Sequence, residues 1–340
     1  MPFSNPGSPT PSGSDLSQAQ LARARSYSYR LFSDLFLQGI TAVSLPYLQQ
    51  IPDLTAVIPL PFNADSAAAS HHDLFQFNIF PYESFFLGDD GLVGGDVTAV
   101  VNQSYRQLGW QTAVTNSQAD HLGQELTCLA FLVVQEAEAW ESNQAQAASH
   151  WQNQQQKFLQ HHLLRWASVC LLAIQQQPDA FFTQLAQLTL RLLLTHAGEM
   201  PQKTAAPPAF LPRQPNILAN DKTGLKEIAH FLLMPALSGL YLSRDTISQL
   251  GRQYELPRGF GSRETMLLNL LRTAVQYDTL PQLLTALQEI ARNWQSNYQT
   301  LIDNHPHGAL FLQPWQARAA ATDQMLLDLM ESTSILDSSE

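Results

Sequence analysis

Charge is scarce in this chain. Asp, Glu, Lys and Arg make up 14% of its 340 residues, against about a quarter in ordinary soluble domains. Glutamine and alanine fill the vacant places. The net charge is −11, which disfavours nucleic acid as a partner and favours a basic one. Cysteine is nearly missing as well. Cys128 and Cys170 both fall in apolar helical runs, where they act as small hydrophobes, and they supply neither a disulfide framework nor a metal cluster. No apolar run is long enough to span a bilayer, and no charged start precedes an apolar core at the N-terminus. The expectation is a soluble, cytoplasmic protein with no membrane insertion. Convincing strand alternation is absent too, so the fold class expected is all-α.

The few charges are unevenly spread. Residues 20–200 carry seven basic against fifteen acidic side chains, residues 201–303 ten against eight, and residues 304–340 one against five. The domain organisation read from composition follows the same divisions. Residues 1–19 are a Ser/Pro/Gly tail, and 20–200 form a first helical domain. The proline-rich stretch 201–220 is an extended linker, 221–303 form a second small helical domain, and 304–340 a weakly ordered acidic tail with a short helix near 316–331. Between Pro46 and Asn78 short helices are expected, with an irregular loop around Ala64–His72. Helices of the second domain are expected at 223–240, bent near Pro235, and at 243–255, 262–277 and 279–303. The last of these would dock on the first domain.

The first domain is organised around a helical pair, DHLGQEL (120–126) and FLQHHLLRW (158–166). Leu122, Leu126, Leu129 and Val133 form one apolar stripe, and Leu159, Leu163, Trp166 and Cys170 form another. Helices are expected over 120–138 and 157–175, packed together, with a glutamine-rich exposed bridge at 139–155. Ser117 and Asp120 read as the start signal of the first. His121 and Glu125 share a face, as do His162 and Trp166. Upstream, FPYESFFL (80–87) leads into a glycine-rich acidic turn ending at Asp96. That turn has no lysine after its glycines, and Asp89, Asp90 and Asp96 would repel phosphate, so it is not a phosphate loop.

These three motifs, in this order on a helical background, resemble those of the TorD/DmsD/NarJ-type chaperones of molybdoenzymes, the redox-enzyme maturation proteins. The resemblance covers residues 20–200. It implies a non-enzymatic helper that binds an apo molybdopterin oxidoreductase subunit or its twin-arginine signal peptide, as monomer or homodimer, with no cofactor of its own. Residue by residue it assigns partner binding to Asp120, His121 and Glu125, to His162, Leu163 and Trp166, and to Tyr82, Glu83 and Ser84. Two departures stand out: Arg165 replaces the proline common before the tryptophan, and 201–340 has no counterpart in short family members.

The chemistry of the residues is compatible with that role. Carboxylates at Asp120, Glu83 and 89–96 would receive guanidinium groups, and Trp166, Phe85 and Phe86 would cover an apolar segment. Each residue also has a plainer reading: Asp120 as a helix cap, His121 and His162 as hydrogen-bonded structural histidines, Trp166 and Leu163 as core. Two alternatives come from other classes. His121, Glu125 and His162 or His161 would make a single-metal enzyme site, and residues 243–271, with Arg252, Arg258 and Arg263, a helical DNA-binding module.

Overall fold

The computed structural model describes residues 17–88, 90–111, 118–200, 209–220, 222–257 and 260–337, the last with side chains to Ser332. The described residues are helical, with no strand, and a lone antiparallel bridge joins Tyr82 to His121. The expected 1–19 tail, most of Ser117's start signal and the first part of the 201–220 linker lie largely outside the described residues.

α1 (Gln18–Gln38) begins where Ser17 and Gln20 cap one another reciprocally, and it buries Tyr29, Phe32, Leu35 and Phe36. Short helices α2 (Leu45–Leu48) and α3 (Pro52–Thr55) follow. The irregular loop expected at Ala64–His72 is instead α4 (Ala64–Asp73). Asn63 starts it by accepting from Ser66 N–H, and a wide turn over Leu74–Asn78 ends it. α5 (Glu83–Leu87) carries the first motif and α6 (Gly95–Gln107) follows the glycine-rich turn. α7 (Leu122–Glu141) packs along α1. The glycine of DHLGQEL explains how closely: a Cβ on Gly123 would stand 2.5 Å from the Leu37 side chain, while Ser33 Oγ donates to Gly123 O at 2.6 Å.

α8 (Ala145–His161) and α9 (Leu163–Gln175) replace the single helix expected over 157–175. The chain breaks at His162, whose imidazole turns into the core. The glutamine bridge over 139–155 is largely exposed or half-buried, with Gln155 as the buried exception among its glutamines. Gln155 is fully buried, donating to Leu132 O and Glu136 and facing His196 Nε2 at 3.0 Å, while His196 Nδ1 meets Tyr29 Oη at 2.9 Å. α10 (Ala180–Glu199) starts at the Asp179 cap and packs on α9.

The second half holds α11 (Leu225–Leu233), α12 (Pro235–Ser238), α13 (Arg244–Gln253), α14 (Arg263–Gln276), α15 (Leu280–Asn304) and α16 (Ala309–Asp337). The Met234–Pro235 step separates α11 from α12, because proline lacks the donor the helix needs. α16 overturns the expected weakly ordered tail. It runs through Pro314 and buries Phe311, Leu312, Trp315, Ala319 and Leu326. The α15 stripe, expected to dock on the first half, closes mainly on α16. The contacts between halves come from elsewhere. Tyr241 Oη donates to Asn78 O at 2.7 Å, and Trp315 Nε1 to Arg165 O at 2.8 Å. One apolar core runs from Ala22 to Leu326.

Candidate functional site

The bridge between Tyr82 and His121 ties the first two motifs together. Glu83 N–H donates to Asp120 O at 2.9 Å and Leu122 N–H to Pro81 O at 2.8 Å. Asp120 does not cap its own helix. Its Oδ2 accepts from Ser84 N–H at 2.9 Å, filling one of the open donors at the start of α5. The cap of α7 is His121, whose Nδ1 accepts from Gly123 N–H at 3.0 Å. Tyr82 stands edge-on to that imidazole, the ring centroids 5.0 Å apart.

The third motif closes the knot from the other side. His162 Nδ1 lies 2.9 Å from Glu83 Oε2, and its Nε2 lies 2.8 Å from Ser104 Oγ on α6. Trp166 Nε1 donates to Glu125 Oε2 at 3.3 Å. Phe86 lies between Trp166 and Tyr241, with centroids at 5.5 and 5.6 Å. Tyr105 Oη donates to Ala119 O at 2.7 Å, anchoring the chain just before Asp120.

Every assigned side chain except Tyr82 is buried, and Asp120, Glu125, Leu163 and Trp166 have no exposed surface. The expectation of an open patch at Asp120, Glu83 and Trp166, with Phe85 and Phe86 offered to a peptide, is therefore corrected. The residues are gathered as expected but face inward, because each has a polar partner or an aromatic neighbour that only burial supplies. Burial also shifts two of them. Desolvation, then the charge of Glu83, pushes the Glu125 carboxyl well above the ordinary range, which favours its protonated form. His121 is pulled down to about 3 by burial, with a smaller contribution from His71, and is neutral.

The two alternatives find no support in the geometry. His121 is used as a cap and His162 is held between Glu83 and Ser104. Among the described residues no three His, Cys, Asp or Glu side chains are grouped to hold a metal ion. The order Glu83–His162–Ser104 also resembles a nucleophile relay, but Ser104 sits inside α6, where the nearby N–H groups are used by the helix and cannot stabilise an oxyanion. In 243–271, Arg263 is buried rather than facing solvent. Its guanidinium lies 4.6 Å from the Tyr241 ring centroid, 5.0 Å from Phe85 and 5.8 Å from Phe80, and donates to Leu233 O at 3.0 Å. Arg258 lies outside the described residues.

Ser104, Tyr105 and Tyr241 carry no motif signal in the sequence, and Arg263 reads there only as a basic side chain of the 243–271 stretch. Arg263 follows its own helix cap, Ser262, which disguises it as an ordinary first-turn residue.

Above the knot lies the glycine-rich segment. Ser84 Oγ accepts from Gly94 N–H at 2.9 Å, and Asp90 Oδ1 accepts from Leu92 N–H at 3.0 Å. Gly91 has φ +65°, and a Cβ there would meet the Met234 thioether at about 2.6 Å, so glycine is required. Asp90 and Asp96 are exposed, as are Leu92, Val93 and Val100.

The described residues form an all-helical body in which the three motifs fold into one buried polar knot. Residues 50–171 match the family model of the nitrate reductase delta subunit, a family of chaperones for molybdoenzyme maturation. The resemblance read in the N-terminal half holds over those residues. No curated protein and no solved structure matches the chain. Among the described residues no helix is long and apolar enough to cross a membrane.

Proposed function

We propose that this protein binds an apo molybdenum-cofactor oxidoreductase subunit, through its signal peptide, and holds it during cofactor insertion and assembly in the cytoplasm. The observation that carries this reading is the knot itself: the three motifs, all within the matched stretch, converge on one place and support one surface segment, residues 90–100. The motif residues act from below. Asp120 fixes Ser84 and Ser84 fixes Gly94, so the segment is presented with a set shape.

The segment has the chemistry a twin-arginine signal peptide requires. Asp90 and Asp96 offer exposed carboxylates to guanidinium forks, and Leu92, Val93 and Val100 offer apolar surface to the segment that follows the arginines. Partner contact thus passes from Asp120, Glu83 and Trp166 to the residues they hold in place, while Tyr82, half-buried at the edge, reaches the surface itself. The test is co-purification of the tagged full chain with cofactor-free oxidoreductase subunits, with and without their signal peptides. Recovery only when the signal peptide is present supports the reading. Equal recovery without it moves binding to the folded body, and no recovery of either removes it.

A further inference from the structure

Beside the knot, on the face formed by the end of α6 and the last turns of α8, lies a small cavity of about 160 Å³. Its polar lining is Ser104, Gln107, Gln154, Lys157, His161 and His162. No carboxylate lines it, which is notable in a chain with 29 acidic residues and 18 basic ones. Lys157 takes part in none of the ion pairs among the described residues. The floor is built rather than incidental. His162 is buried, with Glu83 fixing Nδ1 and Ser104 Oγ standing at Nε2. The short contacts of His162 Nδ1 with Glu83 and of Nε2 with Ser104 Oγ hold the serine hydroxyl at the cavity wall. Lys157 and His161 lie one helical turn apart on α8 and share the rim.

The local field has the matching sign. His161 is held below the ordinary histidine range, first by burial and then by the positive charges of Arg165, His162 and Lys157. A cationic Lys157 beside a serine hydroxyl, with no carboxylate in the lining, suits an anionic ligand rich in acceptor oxygens.

We propose that this cavity binds a small oxyanion, inorganic phosphate or the phosphate monoester end of a larger ligand. Lys157 and Ser104 are its principal contacts, and His162 positions the serine. The site is separate from the 90–100 segment and does not depend on client binding.

The test is calorimetric titration of the full chain with inorganic phosphate and, separately, glycerol 3-phosphate, at fixed ionic strength. Alongside it, ¹H–¹⁵N imidazole spectra follow His161 and His162. The expected result is saturable binding at one site, with shifts at both histidines. Lys157→Gln should weaken it roughly tenfold or more, as loss of one charge-assisted contact does, and Ser104→Ala should weaken it with the melting temperature retained. Tighter binding of glycerol 3-phosphate assigns the site to a monoester, and tighter binding of phosphate to the free ion. Since Lys157 is exposed, its variant carries the test if Ser104→Ala does not fold. Absence of saturable binding, or binding unchanged by Lys157→Gln, overturns the proposal.

Discussion

The two halves of the chain bury different things. Residues 17–200 enclose Glu83, Asp120, Glu125, Glu136, His121, His162 and His196, which take part in hydrogen bonds, whereas the second half encloses mostly aliphatic and aromatic side chains, with Ser238, Ser243, Arg263, Gln288 and Thr322 as the polar exceptions. A buried polar group costs free energy unless it is paired, and hydrogen bonds between buried groups fix one arrangement more strictly than apolar packing does, although Asp120 Oδ1 has no hydrogen-bond partner among the described residues. The first half therefore has a core that specifies a particular shape, and the second has a core that mainly supplies bulk. Where they meet, the second half contributes Tyr241 and Arg263 to the motif aromatics, so it buttresses the knot.

The largest effects should come from the paired tryptophans, one per half. Trp166 and Trp294 are both fully buried, and truncation of either to Ala should cost about 3–5 kcal/mol in chemical denaturation. The comparison sharpens with Phe. Trp166→Phe deprives Glu125 of its donor and should cost about 1–3 kcal/mol more than Trp294→Phe, because the Trp294 indole nitrogen has no partner among the described residues. Equal costs would mean the knot contributes nothing beyond packing.

Next in size is the joint between halves. Arg263→Ala removes a buried hydrogen bond and three aromatic contacts, and should cost about 1.5–3 kcal/mol. The loss should appear as earlier hydrogen exchange at α5 as well as α14. Protection lost at α14 alone would show that the second half does not support the knot.

Much of this was legible in the sequence, for reasons that differ by residue. Amphipathic periodicity locates α7 and α13–α15, because their stripes are local. Ser243 and Ser262 each accept a backbone N–H at the start of their helix, whereas Thr279 makes no side-chain cap bond at the start of α15. The break at His162 was hidden because its cause, Glu83, lies 79 positions away. Gln155 reads as solvent-facing because its partners Glu136 and His196 come from two other helices. Asp120 looks like a cap for the helix that follows and instead caps a helix from an earlier motif. The site residues were legible as a set, but their direction was not. Spacing shows that side chains share a face, and only the packing shows that the face points inward.

Smaller effects should appear with pH, and with opposite signs inside one knot. Unfolded His121 takes up a proton below about 6.5, whereas folded His121 does so only at about 3. Its contribution is therefore full above that window and is lost as pH falls through it, by up to about 1.4 kcal/mol per unit. Burial and Glu83 favour the protonated form of Glu125, so its contribution is full in acid and is lost as pH rises past the ordinary carboxylate range. His121→Asn, which keeps a helix cap, should flatten the acid side of the stability profile. Glu125→Gln should flatten the loss on the neutral side. Thermal melts from pH 4 to 8 check both, and a profile unchanged by either variant would contradict the assignment of neutral forms.

The central claim is that the buried motif residues shape the 90–100 segment and do not touch the client. Calorimetric titration with the client's signal peptide, at two salt concentrations, tests it most directly. Asp90→Asn/Asp96→Asn should weaken binding roughly tenfold or more and remove its salt dependence. Asp120→Asn, which keeps an acceptor for Ser84 N–H, should leave the affinity unchanged. The contradicting result is the reverse: affinity lost with Asp120→Asn at an unaltered melting temperature, and retained in the surface pair.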